Sequence, residues 1–457
     1  MTTLPNSVQA HDVASLVHPQ TDLRRHQDIT PPLIRLGRGA RIFDDDGNEY
    51  IDAAGGLWCA TLGYSNDRLA KVAYEQLRTL SYAHIYYHQT HEAAAELAHR
   101  LCSIAPPSLN KVLLQQSGSE ANDTAVKLAW YYHNAVGKPE KRKIISRIKG
   151  YHGSTAVAAS VTGKSDMHVD FNLPLDGFYH TEFPHYYRRH EPGESEEAFA
   201  TRMAESLESL ILDEGPETVA AFFAEPVMGS AGAVTPPRTY FEKIQAVLGK
   251  YDVLFVADEV ICGFGRTGEM WGSTTYDIEP DMMSCAKGLS AGAVPISALL
   301  IHDRVYDALV AESEKLGRFN HAFTYSGHPL SAAIALEVQR IYEEMDVVAC
   351  TRQLGGRLQH VLERLSGHPM VGDVSAVGFI AGIELMRDRE TRTAFDPALK
   401  IADRVLEASR KRGLIHRNMG DRIAFAPPYV TTEDEIEEIA LRLHGALDEV
   451  WDEVRRL

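Results

Sequence analysis

The 457-residue chain contains no apolar run of eighteen residues, so no membrane-spanning helix is expected. Positive charge is in short supply. Against 63 Asp and Glu stand 46 Lys and Arg, leaving a formal net charge of −17. Proteins that grip a phosphate backbone carry a basic face, so no nucleic-acid partner is expected. Cysteine is scarce and odd in number: Cys59, Cys102, Cys262, Cys285 and Cys350 are scattered, with no C-x-x-C spacing. That argues against a disulfide framework and a zinc signature, and for a reducing compartment. The N-terminal stretch MTTLPNSVQAHDVASLVHP lacks a basic start and a long apolar segment. No secretory signal is read there, and the cytoplasm is the expected location. Internal repeats and low-complexity tracts are also missing. What is there, 44% hydrophobic and 24% charged residues, suits a globular protein long enough for two domains.

The first forty residues are polar and broken by prolines, and read as an extended arm with a short helix. ARIFDDDGNEYIDA reads as a hairpin around the turn Asp46-Gly47-Asn48. The rhythm then changes. In KVLLQQSGSEAND, KIISRIKGYHGS, TVAAFFAEPVMGS, DVLFVADEV and ISALLIHD, short apolar runs end in polar or glycine-rich clusters, and helical patterns follow. Strand, loop and helix in repetition predict an α/β domain with a largely parallel sheet. Ligands in such sheets bind beyond the carboxyl ends of the strands, where the polar clusters fall. From about residue 330 a long helical region is predicted, broken at Gly355-Gly356. A small α+β unit follows: VGFIAGIELM as a strand, KIADRVLEASRKRG as a helix stopped by Gly413, DRIAFAPPYV as a strand and a final amphipathic helix. The expected division is 1–60 as arm and hairpin of a small domain, 61–329 as a large cofactor-binding domain and 330–457 as the rest of the small domain.

Three features carry chemistry. Ser117-Gly118-Ser119 lies between a strand and a helix, where free N–H groups and a positive dipole end can hold a phosphate; an ordinary cap by Ser119, with Asn122 three residues on, is the plainer alternative. Asp258 closes the strand VLFVAD and could be a metal ligand, a ribose acceptor or the partner of a protonated nitrogen. Lys287, in DMMSCAKGLSAG, is one cation in a run of small uncharged residues; it either snorkels to the surface or supplies an amine. GFGRTG, residues 263–268, matches G-x-G-x-x-G only formally, since an acidic pair separates it from the strand and no apolar helix opens after it. An anion cradle, a carboxylate and a sheltered lysine together point to pyridoxal phosphate, and no His or Cys cluster has metal-ligand spacing.

SGSEANDTAVKLA, YHGST, AEPVMGSAG, DEVICGFGRTG, CAKGLSAG and FTYSGHP follow one another in this order. Together they resemble the class III aminotransferases, fold-type I pyridoxal-phosphate enzymes, over essentially the whole chain. GGLW and GLIHRNMG bring it nearest the amine:pyruvate, or ω-, transaminases. The resemblance implies a mostly parallel seven-stranded sheet flanked by helices, with a smaller α+β domain built from both termini. It implies that Lys287 is the Schiff-base lysine and proton shuttle, and that Asp258 pairs with the pyridinium nitrogen. Gly118 and Ser119 would bind the phosphate, joined by Thr324 from a second subunit. Tyr151 would stack on the ring, Val260 would press its other face, and Glu225 would belong to the surrounding polar network. Trp58, Tyr86, Tyr87 and the other subunit's Phe323 would line the substrate pocket, and Arg417 would bind a keto-acid carboxylate.

The implied activity is transfer of an amino group from a primary amine or ω-amino acid to a keto acid such as pyruvate, in a homodimer or homotetramer with shared sites. Rivals of the same fold are diamine, taurine or ornithine-type transaminases and an aminomutase. Packing roles stay open for Tyr151, Trp58, Tyr86 and Tyr87, and a surface ion pair for Arg417. His152 and His416 read as structural or pocket-lining, since neither has a recognisable acid–base partner in the sequence. Two departures bear on the substrate: AHIYYHQTH has tyrosines where many relatives have phenylalanines, and Ser230 puts a hydroxyl on the expected pocket floor.

Overall fold

The computed structural model describes residues 6–455, so the first five residues of the N-terminal stretch lie outside it. The arm holds two short helices, Val8–Ser15 and Leu23–Gln27, and a strand, β1 (Ile34–Arg38), where one helix in an extended segment is predicted. The hairpin forms as read, from β2 (Arg41–Asp44) and β3 (Glu49–Asp52), paired antiparallel. Seven strands then make the central sheet: β4 (Leu109–Gln115), β5 (Lys143–Arg147), β6 (Phe178–Thr181), β7 (Val219–Ala224), β8 (Leu254–Asp258), β9 (Met282–Cys285) and β10 (Ser297–His302). Their spatial order is β4-β10-β9-β8-β7-β5-β6. Only β10 runs against its neighbours; the pairs β9–β8, β8–β7, β7–β5 and β5–β6 are parallel.

Burial explains why these segments are strands. Every residue of VAAFFA, LFVAD and MMSC is buried, as a sheet covered on both faces requires. Alternate side chains feed two cores. Phe222, Phe255, Met283 and Leu300 pack on one side with helices Glu196–Glu214, Tyr240–Lys250 and Pro329–Glu344. Phe223, Val256, Met282 and Leu299 pack on the other with helix Gly118–Ala135. No described helix is long and apolar enough to cross a membrane.

The C-terminal region adds β11 (Val371–Val377), β12 (Ile380–Leu385), β13 (Leu414–Ile415), β14 (Arg417–Met419) and β15 (Arg422–Phe425). A four-stranded sheet runs β11-β12-β15-β14. Another runs β1-β2-β3-β13, with Leu414 opposite Ile51 and Ile415 opposite Asp52 in parallel register, so both ends of the chain meet in one sheet. Helices Ile401–Lys411 and Glu433–Val454 form where predicted, and Gly413 follows the first of them at φ 74°.

The long helical region breaks elsewhere than predicted. It divides at Asp346, which sits at φ 45° and caps the next helix by accepting from the Ala349 N–H at 3.3 Å. Helix Val347–Glu363 runs straight through Gly355-Gly356. Gly355 serves close approach instead: a Cβ there would lie 2.0 Å from the Gly378 carbonyl oxygen. Gly→Ala inside a helix ordinarily stabilises by about 1 kcal/mol. Gly355→Ala is expected to do the reverse, costing about 1–3 kcal/mol through overpacking, as chemical denaturation will measure.

Candidate active site

β4, β5, β7, β8 and β9 all point their carboxyl ends to the same edge of the central sheet. At or just beyond those ends come, in turn, Gly118 and Ser119, Tyr151 and His152, Glu225, Asp258, and Lys287. With Val260, every one of these lines a single cavity of about 370 Å³. Seven residues expected at the cofactor from the sequence are thus brought together: Gly118, Ser119, Tyr151, Glu225, Asp258, Val260 and Lys287.

The cap of helix Gly118–Ala135 is Ser117, whose hydroxyl accepts from the Glu120 N–H at 3.2 Å; Ser119 is not the cap. Instead Ser119 Oγ accepts from the Ser154 N–H at 3.1 Å, tying this turn to the loop after β5. The N–H groups that open an α-helix have no partner within it, and here they come at the cavity wall.

Asp258 is 4% exposed. Its Oδ2 accepts from Asn122 Nδ2 at 2.8 Å and lies 2.7 Å from His152 Nδ1; its Oδ1 accepts from the Val260 N–H at 3.1 Å. Asn122 Nδ2 also donates to the His152 carbonyl at 2.7 Å. The sequence gives no sign of this triad, because β5 and β8 must first be placed either side of β7. Glu225 is buried and spans two loops, accepting from the N–H groups of Tyr151 and Gly229, both at 3.0 Å; burial pushes its carboxyl pKa up. Lys287 lies two residues past β9 at φ 37°, a conformation rare for a residue with a side chain. Such strain persists only where the surroundings enforce it, and it collects at functional sites. Burial lowers its pKa, against the opposing pull of Asp258.

Other expected residues fall into two further groups. Arg417 Cζ sits 5.3 Å from the centre of the Trp58 ring, and its charge is felt at Lys287. Tyr86, Tyr87, Phe323 and Thr324 gather elsewhere, outside the cavity wall. Tyr86 Oη donates to the Phe323 carbonyl, Tyr82 Oη donates to the Thr324 carbonyl at 2.9 Å, and Tyr87 is 81% exposed. His416 is buried with Nε2 3.0 Å from Ser409 Oγ. The GFGRTG segment is a turn whose buried Arg266 donates to the carbonyls of Phe379 and Pro427 at 2.9 and 2.8 Å, so its charge braces loops. Lys164, which sequence reasoning passed over, stands over the Tyr151 ring with Nζ 5.9 Å from its centre.

Residues 23–447 match the family model described as "Aminotransferase class-III". The chain belongs to the class III aminotransferases. It is 42% identical to γ-aminobutyrate transaminase 3, chloroplastic, of Solanum lycopersicum, over all of this chain and 89% of that protein. It is 42% identical to vanillin aminotransferase of Capsicum frutescens, over 97% and 96% of the two chains. The structure of the ω-transaminase from Pseudomonas jessenii in complex with PMP superposes with a TM-score of 0.97 at 46% identity, covering 98% of this chain and 99% of that one. Class III aminotransferases use pyridoxal 5′-phosphate, and the cavity of this one fits it. The donor set is an amine, a buried carboxylate and a helix N-terminus. A Cβ on Gly118 would reach 3.0 Å from Val260 Cγ2, so a side chain there would press on Val260 at the cavity wall.

Proposed function

We propose that this class III aminotransferase moves an amino group from a primary amine or ω-amino acid to a keto acid, pyruvate, in two alternating half-reactions, and that Lys287 carries the reacting proton. The convergence of Lys287, Asp258 and the helix start at Gly118 on one cavity carries this reading. When bound, pyridoxal phosphate supplies an electron sink for the charge left at the substrate carbon after proton loss. Gly118 and Ser119 hold its phosphate through backbone and hydroxyl donors. Tyr151 and Val260 enclose its ring. Asp258 keeps a proton on the ring nitrogen, because an adjacent carboxylate favours the cation, and Asn122 and His152 keep that carboxylate aimed. Glu225 fixes the loops that carry Tyr151 and Gly229. Lys287 takes the proton from the substrate carbon and returns it; burial lowers its pKa and so favours the neutral amine that a base must be.

Trp58 lines the substrate side. Arg417 binds the keto acid's carboxylate, a task for which its planar fork is suited. Tyr86, Tyr87, Phe323 and Thr324 serve the cavity of a second copy, in a homodimer or homotetramer; their separation from their own cavity and the exposure of Tyr87 support this. Sedimentation is expected to give a dimer or larger. Thr324→Ala is expected to weaken cofactor binding by about tenfold, the cost of one hydrogen bond to a charged group, read by titrating the apoenzyme with cofactor.

The relatives named γ-aminobutyrate transaminases favour an ω-amino acid as the donor. Supplying single amines with pyruvate and measuring alanine tests the function. Alanine from γ-aminobutyrate or from simple primary amines is the expected result. A rearranged amine with no net alanine would identify an aminomutase and overturn the proposal.

A further inference from the structure

Lys164 is a charged group near the site that the reaction as described does not use. It lies half-buried in the loop after helix Ala156–Val161. Its Nζ donates to the Ser230 carbonyl at 2.8 Å and stands over the ring of Tyr151, which lines the cavity with Lys287. Among the described residues it makes no ion pair: Glu225 and Asp166 act on it through space, but no carboxylate lies within 4 Å of its nitrogen. Glu225 spends both oxygens on the backbone N–H groups of Tyr151 and Gly229. Arg417, whose charge also reaches Lys164, has the Trp58 face as its neighbour and no carboxylate either. Beside them the Ser230 hydroxyl, in a residue 8% exposed, has no hydrogen-bond partner.

Lys164 feels Arg417 and Lys149, and Glu225 and Asp166 offset this only through space, with no carboxylate among the described residues in contact with either Lys164 or Arg417. Withdrawing an ammonium from water costs free energy unless it is paired, and like charges add repulsion. A chain with net charge −17 has carboxylates to spare, yet none fills this place. The missing anion is therefore one that comes and goes. Arg417 has a role with the keto acid's carboxylate, which leaves Lys164 for an anionic group at the far end of the donor.

We propose that Lys164 anchors the distal carboxylate of an ω-amino acid, so that the enzyme prefers such donors to amines of the same length with an uncharged tail. This rests on the transaminase reading above. The test compares γ-aminobutyrate and δ-aminovalerate with butylamine and pentylamine, in the wild-type holoenzyme and in Lys164→Met and Lys164→Arg. Lys164→Met is expected to raise KM for the two amino acids by at least about tenfold, as loss of a charged hydrogen bond does, with butylamine and pentylamine unchanged. Lys164→Arg is expected to keep most of the preference. Calorimetric titration with butyrate, which has no amine to react, is expected to show binding weakened by a similar factor in Lys164→Met.

Equal losses for charged-tail and uncharged-tail donors would make Lys164 a structural brace for the Ser230 loop and overturn the proposal. Unchanged KM values and unchanged butyrate binding would overturn it too. A wild-type enzyme that uses none of the four amines would instead defeat the donor reading, and butyrate binding would still decide the role of Lys164.

Discussion

Lys287→Ala is expected to lower amine-to-pyruvate transfer by at least about 10⁴-fold, the upper range for loss of a positioned acid–base group, while the protein still folds. On the proposed reading the substitution removes the covalent anchor and the proton carrier together, so no second residue makes up the deficit. His152 is engaged with Asp258, and Glu225 is held by two N–H groups. Folding survives because Lys287 makes no ion pair among the described residues and its side chain borders open cavity. The check is alanine production alongside thermal unfolding. Borohydride reduction followed by peptide mass analysis should find the cofactor joined to the Lys287 peptide in the wild type and absent there in the variant. Equal activity in the two proteins would defeat the assignment.

Asp258→Asn is the second large expected effect, a fall in kcat on the order of 10³-fold with the cofactor still able to bind. The change is nearly isosteric, so what it removes is charge. A protonated ring nitrogen loses the adjacent carboxylate that favours it, and the sink for electrons at the substrate carbon weakens. The same change disturbs the triad. Two donors converge on Oδ2, from Asn122 at 2.8 Å and His152 at 2.7 Å, and an amide placed there must turn its oxygen toward them and its NH₂ toward Val260. One buried donor left unpaired costs about 1–3 kcal/mol, so unfolding should shift along with kcat. Unchanged kcat with lowered stability would mean that the carboxylate is only a structural member.

The sites most readable in the sequence were those written into one stretch of chain. Asp258 follows four apolar residues and an alanine, so a buried strand ending in an acid could be read directly. Lys287 stood out against small neutral neighbours. The strand just before Lys287, β9, was not read as one: four residues are too few to show a period, and two methionines favour no particular element. β6 and β11 escaped for the same lack of contrast. The contacts of Asp258 were beyond reach for another reason. His152 and Asn122 are distant in sequence; the side-by-side placement of β5, β7 and β8 brings in His152, and the packing of helix Gly118–Ala135 on the sheet brings in Asn122. Gly355 misled because the sequence shows a glycine pair but not the Gly378 carbonyl pressed against it. Lys164 was missed because a lone lysine in a loop reads as a solvated one until Tyr151 is seen beneath it.

The parallel pairing of β3 with β13 has a consequence for how the enzyme is made. Trp58 follows β3 by six residues and Arg417 follows β13 by two, so the substrate wall proposed above hangs from paired strands near opposite ends of the chain. A nascent chain holds Gly118, Ser119, Tyr151, Glu225, Asp258, Val260 and Lys287 well before Arg417 is made. Shortening the polypeptide by its last fifty residues would remove Arg417 together with β13, β14, β15 and helix Glu433–Val454, so β3 would lose its parallel partner and the core its last helix.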